Sequence, residues 1–171
     1  MIILAVDVGI QVCGYAVCAI NSAQVNLIKQ GEIKPEPKNS MPQKLNFIID
    51  GLTAAVNEHK PCVVVVETLY SHHRHPATLG VLAQVKGAIA VFTQKWSVDY
   101  VEYSSTRARK GFIGKGNVDS SRVKKMAEGI SGQTFKSVHT ADAFSLAFAF
   151  AHEYRFRKII EQAKHDFTHS R

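Results

Sequence analysis

Residues 2–9 read Ile2-Ile3-Leu4-Ala5-Val6-Asp7-Val8-Gly9. An unbroken apolar run that short suits a strand covered on both faces, and Asp7-Val8-Gly9 at its end delivers a carboxylate to a turn. The pattern returns later in the chain, where Cys62-Val63-Val64-Val65-Val66 is again wholly apolar and stops at Glu67. Between the two, Val12 to Ile20 is rich in small and β-branched residues and Val25 to Ile33 alternates weakly. Asn21-Ser22 and Gly31 punctuate these segments, which predicts an antiparallel meander continuing from the first strand. Two parallel neighbours carrying Asp7 and Glu67 would bring the carboxylates together at the C-terminal edge of the sheet, where open α/β sheets place their ligand sites.

The remaining segments complete the architecture. Lys34 to Asn39 reads as a loop, because Pro35 and Pro37 disfavour a helix. Ser40 then caps a helix from Met41 to His59 with Leu45, Ile48, Ile49, Leu52 and Val56 on one face, ended by Pro61. A second helix is predicted from Pro76 to Gln94, with Leu79, Leu82, Val85, Ala88, Ile89 and Phe92 apolar and Gly80 and Gly87 permitting close packing. Val98 to Tyr103 reads as a strand, Arg107 to Asn117 as a basic glycine-containing loop, and Asp119 to Ile130 as a helix. Ser137 caps a final helix bearing His139, Asp142, Phe144, Leu146, Phe148 and Phe150. The order implies an α/β fold: a mixed five-stranded sheet, with a three-strand meander on one side and two parallel strands on the other, flanked by helices. One domain is expected over residues 1–160, with 161–171 a frayed, basic, histidine-containing tail.

Composition bounds the function. At 171 residues the chain fits one domain able to bury a core without disulfides or structural metals, and the excess of 21 Lys and Arg over 14 Asp and Glu favours a polyanionic partner. Cys13, Cys18 and Cys62 sit among apolar residues and match no zinc-ligand spacing, so they read as small core residues in a reducing compartment. Apolar stretches such as Ala143 to Ala151 fall short of the ~20 residues of a membrane span. Residues 1–6 lack the basic flank of a signal peptide. A cytoplasmic or nucleoid-associated protein is expected.

His139 and Asp142, three residues apart on a helix, share a face and can converge on one ligand. If that helix packs beside the central strands, Asp7, Glu67, Asp142 and His139 form a hard, oxygen-rich site suited to Mg2+ or Mn2+. Three grouped carboxylates are costly unless cations neutralise them. Two cations ~3.5 to 4 Å apart stabilise both the attacking and the leaving oxygen of a phosphodiester, one activating water and the other holding the leaving 3'-oxygen. Arg107, Arg109, Lys110, Lys115, Arg122, Lys124 and Lys125, opposed only by Asp119, make a basic surface next to these groups. Gly111, Gly114 and Gly116 would let backbone amides approach phosphates.

Taken in order, Ile3-Leu4-Ala5-Val6-Asp7-Val8-Gly9, Gly14-Tyr15-Ala16, Val66-Glu67-Thr68-Leu69-Tyr70, Gly87-Ala88, Gly114-Lys115-Gly116 and His139-Thr140-Ala141-Asp142-Ala143 resemble the RuvC family of Holliday-junction resolvases across most of the chain. The resemblance implies a dimeric endonuclease of the ribonuclease H-like fold that cuts four-way DNA junctions in recombination and repair. It implies that Asp7, Glu67 and Asp142 bind metal, with His139 in a fourth position that family members fill with Asp or His. Tyr70 is similar to the family's aromatic residue beyond the catalytic Glu, thought to stack on bases at the opened junction, where stacking is worth ~1–3 kcal/mol per base. A rim aromatic packed on the following helix is the alternative for Tyr70. The family also implies cooperation with a helicase pair that drives branch migration.

The sequence departs from the family pattern at Val8, where Pro is common, and at Ser120, where a basic residue often contacts the substrate. Arg109 still matches a basic family position. His72, His73 and His75, with Arg74, are open to two readings, a phosphate-contacting loop or a zinc site. Two further readings compete for the whole chain. Asp7-Val8-Gly9 with Gly14 is also like the phosphate-binding turn of actin-like ATPases and sugar kinases, against which the length argues. A catalytically silent junction-binding module is the other, against which Asp7, Glu67 and Asp142 argue. The helix from Gly80 to Phe92 is the candidate dimer interface.

Overall fold

The first strand, β1 (Ile2–Asp7), is an apolar run because both of its faces are covered, and Ile3, Leu4, Ala5 and Val6 are fully buried. In the computed structural model, residues 1–21, 24–69 and 76–169 are described, the side chains of 159 and 161–169 excepted. β1 is followed by β2 (Cys13–Ile20), β3 (Val25–Ile33), α1 (Met41–His59), β4 (Val63–Glu67), α2 (Pro76–Lys95), β5 (Asp99–Tyr103), α3 (Ser105–Ile113), α4 (Ser120–Ser131) and α5 (Val138–His169). The strands form one sheet in the order β3-β2-β1-β4-β5. β1–β2 and β2–β3 are antiparallel, while β1–β4 and β4–β5 are parallel, as the sequence predicts.

Side-chain alternation divides the core into two layers. Leu4, Val6, Val17, Val64 and Val66 face Ile48, Leu52 and Val56 of α1 and Val85, Ile89 and Phe92 of α2. Ile3, Ala5, Ala16, Cys18, Val63 and Val65 face α5, with α3 and α4 packed alongside it. Each fully buried Leu, Ile, Val or Phe side chain contributes roughly 1.5–3 kcal/mol. Phe144 of α5 joins the helices of this layer, its ring 5.9 Å from Phe112 and 5.4 Å from Phe135. The helical backbone of α5 runs to His169, and the tail expected to fray over 161–171 falls on residues whose side chains lie outside the description.

Three sequence expectations change. The segment read as a basic loop is largely helical. Ser104 caps α3, its hydroxyl oxygen accepting from the Arg107 N–H at 3.1 Å, and Ala108 and Phe112, four residues apart, are buried on one face. The helix ends at Gly114, whose φ of 85° suits glycine. Gly111, which suggested a loop, lies inside α3, and a Cβ there would meet nothing within 4 Å. Gly80 and Gly87 likewise face open space rather than a packed neighbour. Cys62 is exposed because it precedes the strand proper, whereas Cys13 and Cys18 are buried.

α2 is long and apolar enough to cross a membrane by length and composition alone. Here it packs on the sheet, with Val85, Ile89, Phe92 and Thr93 buried and Lys86 Nζ 2.7 Å from Glu102 Oε2. Its outer face stays open, with Val91 73% exposed.

Candidate active site

The register Val6↔Val66 between parallel β1 and β4 carries Asp7 and Glu67 to the same edge on adjacent strands. Their parity matches Ile3, Ala5, Val63 and Val65, so both carboxylates point to the face that α5 covers. The start of α5 brings the other two groups. Ser137 caps it, its hydroxyl oxygen accepting from the Thr140 N–H at 3.3 Å. His139 and Asp142 then lie on one side of the first turn. Gly14, paired with Asp7 across β1–β2, lets the helix approach: a Cβ at Gly14 would sit 2.5 Å from the His139 carbonyl carbon and oxygen. His139 Nδ1 consequently reaches Asp7 Oδ2 at 2.8 Å.

Burial and neighbouring negative charge raise the proton affinity of Glu67 and Asp142. Burial, then the negative charge of Asp7, push the Glu67 carboxyl up to about 7, against a smaller pull from a hydrogen bond with Ser105. Burial likewise raises the Asp142 carboxyl, opposed by the Ser120 hydroxyl and the Arg109 guanidinium. The hydrogen bond to Asp7 raises the His139 imidazole, favouring its cationic form. Asp7 thus has the His139 imidazole as its partner, and Asp142 has the Arg109 guanidinium.

This donor set fits divalent cations: the oxygens are hard ligands, imidazole is an accepted fourth, and cations would relieve the repulsion that perturbs Glu67. Among the described residues, no three His, Cys, Asp or Glu side chains are already gathered into a metal-holding cluster. The four groups gather at one sheet edge without being closed into a cage.

Arg109 is not a free surface cation. Its Nη1 donates to the Val118 carbonyl at 2.8 Å, and its Nη2 donates to Ser120 Oγ at 2.8 Å and to both Asp142 oxygens at 3.1 and 3.2 Å. Ser120 in turn donates to Asp142 Oδ2 at 2.7 Å. Arg107 turns elsewhere, pairing with Glu153 and lying over the Tyr103 ring, 5.1 Å from its centroid. Glu153 is three helical turns beyond Asp142, roughly 16 Å along the axis. Lys124 Nζ is 3.9 Å from Glu128 Oε1. Lys110, Lys115, Arg122 and Lys125 are exposed on α3, α4 and their connection. Tyr70, His72, His73 and His75 lie outside the described residues.

Sequence reasoning noted Ser120 only as a departure, and it passed over Ser105, the residue that opens α3 just past the end of β5. The available signal was positional, since a third strand ending beside Glu67 puts its following residues at the same edge. An open cavity of about 520 Å³ adjoins the site, walled by Gln11, Val12, Ala77, Val81 and His139 among others. Gln11, too, drew no attention in the sequence.

A mixed five-stranded sheet that gathers strand-end carboxylates against a helical His-x-x-Asp is a ribonuclease H-like architecture. Residues 3–152 match the family described as crossover junction endodeoxyribonuclease RuvC, and the chain belongs to that family. A RuvC of Chloroherpeton thalassium is 30% identical over 149 residues, covering 86% of this chain and 80% of its own. A RuvC of Campylobacter curvus is 30% identical over 153 residues, covering 88% and 96%. The Thermus thermophilus RuvC structure in complex with Holliday junction substrate shares the fold with a TM-score of 0.81 at 21% identity, over 91% of this chain and 96% of that one.

Proposed function

We propose that this chain is a metal-dependent endonuclease that resolves four-way (Holliday) DNA junctions by paired symmetric nicks in homologous recombination and repair. The observation that carries the reading is the convergence of Asp7, Glu67, His139 and Asp142 at one sheet edge of a chain with net charge +7. The family's relatives support the junction as substrate. Mg2+, two ions per site with Mn2+ as substitute, when held by these four residues supplies water activation and charge neutralisation at the leaving 3'-oxygen.

The chain's own residues do the rest. Asp7 and Glu67, fixed by paired strands, and Asp142, fixed by α5, hold the ligand oxygens on one side of the phosphodiester. Lys110, Lys115, Arg122, Lys124 and Lys125 supply positive charge for the flanking phosphates, joined by Arg109 and Arg107 where these exchange Asp142 and Glu153 for phosphate. Tyr70 is assigned the stacking role at the opened crossover. The cavity beside His139 is suited to a nucleotide next to the cut, since its walls combine apolar side chains with the Gln11 amide.

Two nicks of like polarity require two sites, and a homodimer supplies them by twofold symmetry. The exposed apolar face of α2 supports that arrangement. A branch-migration helicase completes the reading on family grounds alone, and a cytoplasmic, nucleoid-associated location follows from the substrate.

Cleavage of a mobile four-way junction and of its linear duplex, with Mg2+ or chelator, tests the proposal. Paired nicks on the junction only, requiring Mg2+ and falling at least about 100-fold in Asp7→Asn, are expected. If parent and variant bind the junction alike and neither cuts it across several sequences and metals, the chain is a binding module instead.

A further inference from the structure

We propose that Arg109, held by Ser120, occupies the place of a divalent cation at Asp142, so that a metal loads there only when the guanidinium leaves. The proposal rests on the metal-dependent reading above and concerns the order in which the site fills.

The geometry is that of a stand-in cation. One guanidinium nitrogen spans both Asp142 oxygens, at 3.1 and 3.2 Å, and the Ser120 hydroxyl takes Oδ2 at 2.7 Å. Three of the roughly four acceptor positions of the carboxylate are therefore engaged by α3 and α4, two of them on Oδ2. The pair is sheltered, with Asp142 and Arg109 side chains 16% and 22% exposed, so solvent screens it less than a surface pair. The two halves of the site differ in kind. The partner of Asp7 is an imidazole, which can itself ligate a metal. The partner of Asp142 is a guanidinium, which keeps its charge and has no lone pair to offer, and so must move.

Arg109 is also incompletely satisfied where it rests. Among the described residues its buried Nε has no hydrogen-bond partner, although both terminal nitrogens have acceptors. A buried donor without an acceptor is a standing cost of the resting pose, and departure towards water or a phosphate removes it. Ser120 supplies an acceptor that ties Arg109 to Asp142.

Counting Mn2+ on the DNA-free protein by electron paramagnetic resonance and calorimetry tests this. The parent is expected to bind one ion tightly. Arg109→Met is expected to bind a second at least about tenfold more tightly than the parent does, the scale of one lost charge-assisted competitor. Asp142→Asn in the Arg109→Met background should remove that added ion. Ser120→Ala, which loosens the tether without removing the charge, should shift the second ion the same way by less, and it carries the test if Arg109→Met fails to melt as a folded protein. Folded variants that bind Mn2+ no more tightly than the parent would overturn the proposal. Loss of the tight ion in Asp7→Asn would then show that the metal-dependent reading survives it. If neither parent nor variants bind Mn2+ at all, both fall.

Discussion

Glu67 shows how the site's chemistry is written into its stability. In the folded chain its carboxyl keeps its proton up to about pH 7, whereas in the unfolded chain it gives it up near 4.5. Between those values the folded state binds more protons than the unfolded one, so stability falls as pH rises through this window, by on the order of 3 kcal/mol. Glu67→Gln removes the titration. Metal-free melting curves should therefore show the parent losing stability from about pH 4.5 to about pH 7 and the variant losing much less. Mg2+ should restore the parent more than the variant at the upper end. Equal pH profiles for the two proteins would mean that Glu67 titrates normally. Asp7, Glu67 and Asp142 were legible from sequence because strand-end position and helical spacing are local properties. The partnership of Ser120 and Arg109 was not, because it joins separate helices through Asp142 on a third.

At the scale of elements, the approach of α5 to β2 decides whether the four groups meet. Gly14 permits it, and Gly14→Ala would drive a methyl group to 2.5 Å from the His139 backbone. Denaturant unfolding is expected to show a loss of about 1–3 kcal/mol. Junction cleavage should fall at least tenfold even at temperatures where the variant stays folded, because displacing the first turn of α5 separates His139 from Asp7. Retained cleavage would show that the helix can reseat. The strands and α1, α4 and α5 could be read from apolar runs and caps. α3 was misread because Gly111 and the basic residues looked like loop punctuation, whereas Ser104 and the Ala108–Phe112 spacing carried the helical signal.

At the scale of the molecule, α2 leaves an apolar face uncovered on the side of the sheet opposite α5. Val91, 73% exposed, lies on it. Val91→Glu should change monomer stability by no more than about 0.5 kcal/mol, as surface substitutions do. Sedimentation should show the parent as a dimer and the variant as a monomer, with the variant's two junction strands nicked independently. A monomeric parent, or a variant that remains dimeric, would place the interface elsewhere. The sequence read Gly80 and Gly87 as permitting close packing, and among the described residues a Cβ at either would meet nothing within 4 Å. Only the folded arrangement separates the face of α2 that meets the sheet from the face left for another surface.

By itself the sequence determined the order of the elements other than α3, the mixed five-stranded sheet, and the carboxylates at its C-terminal edge. Apolar periodicity, turn residues and helix caps act over a few neighbours and can be read one segment at a time. The tertiary structure decided which groups touch: His139 against Asp7, Arg109 and Ser120 against Asp142, and Arg107 turned away to Glu153. The physical reason is that a charge finds its partner only after burial has fixed how the helices sit on the sheet. Several exposed lysines and arginines look alike in a sequence, and packing draws one of them into the site.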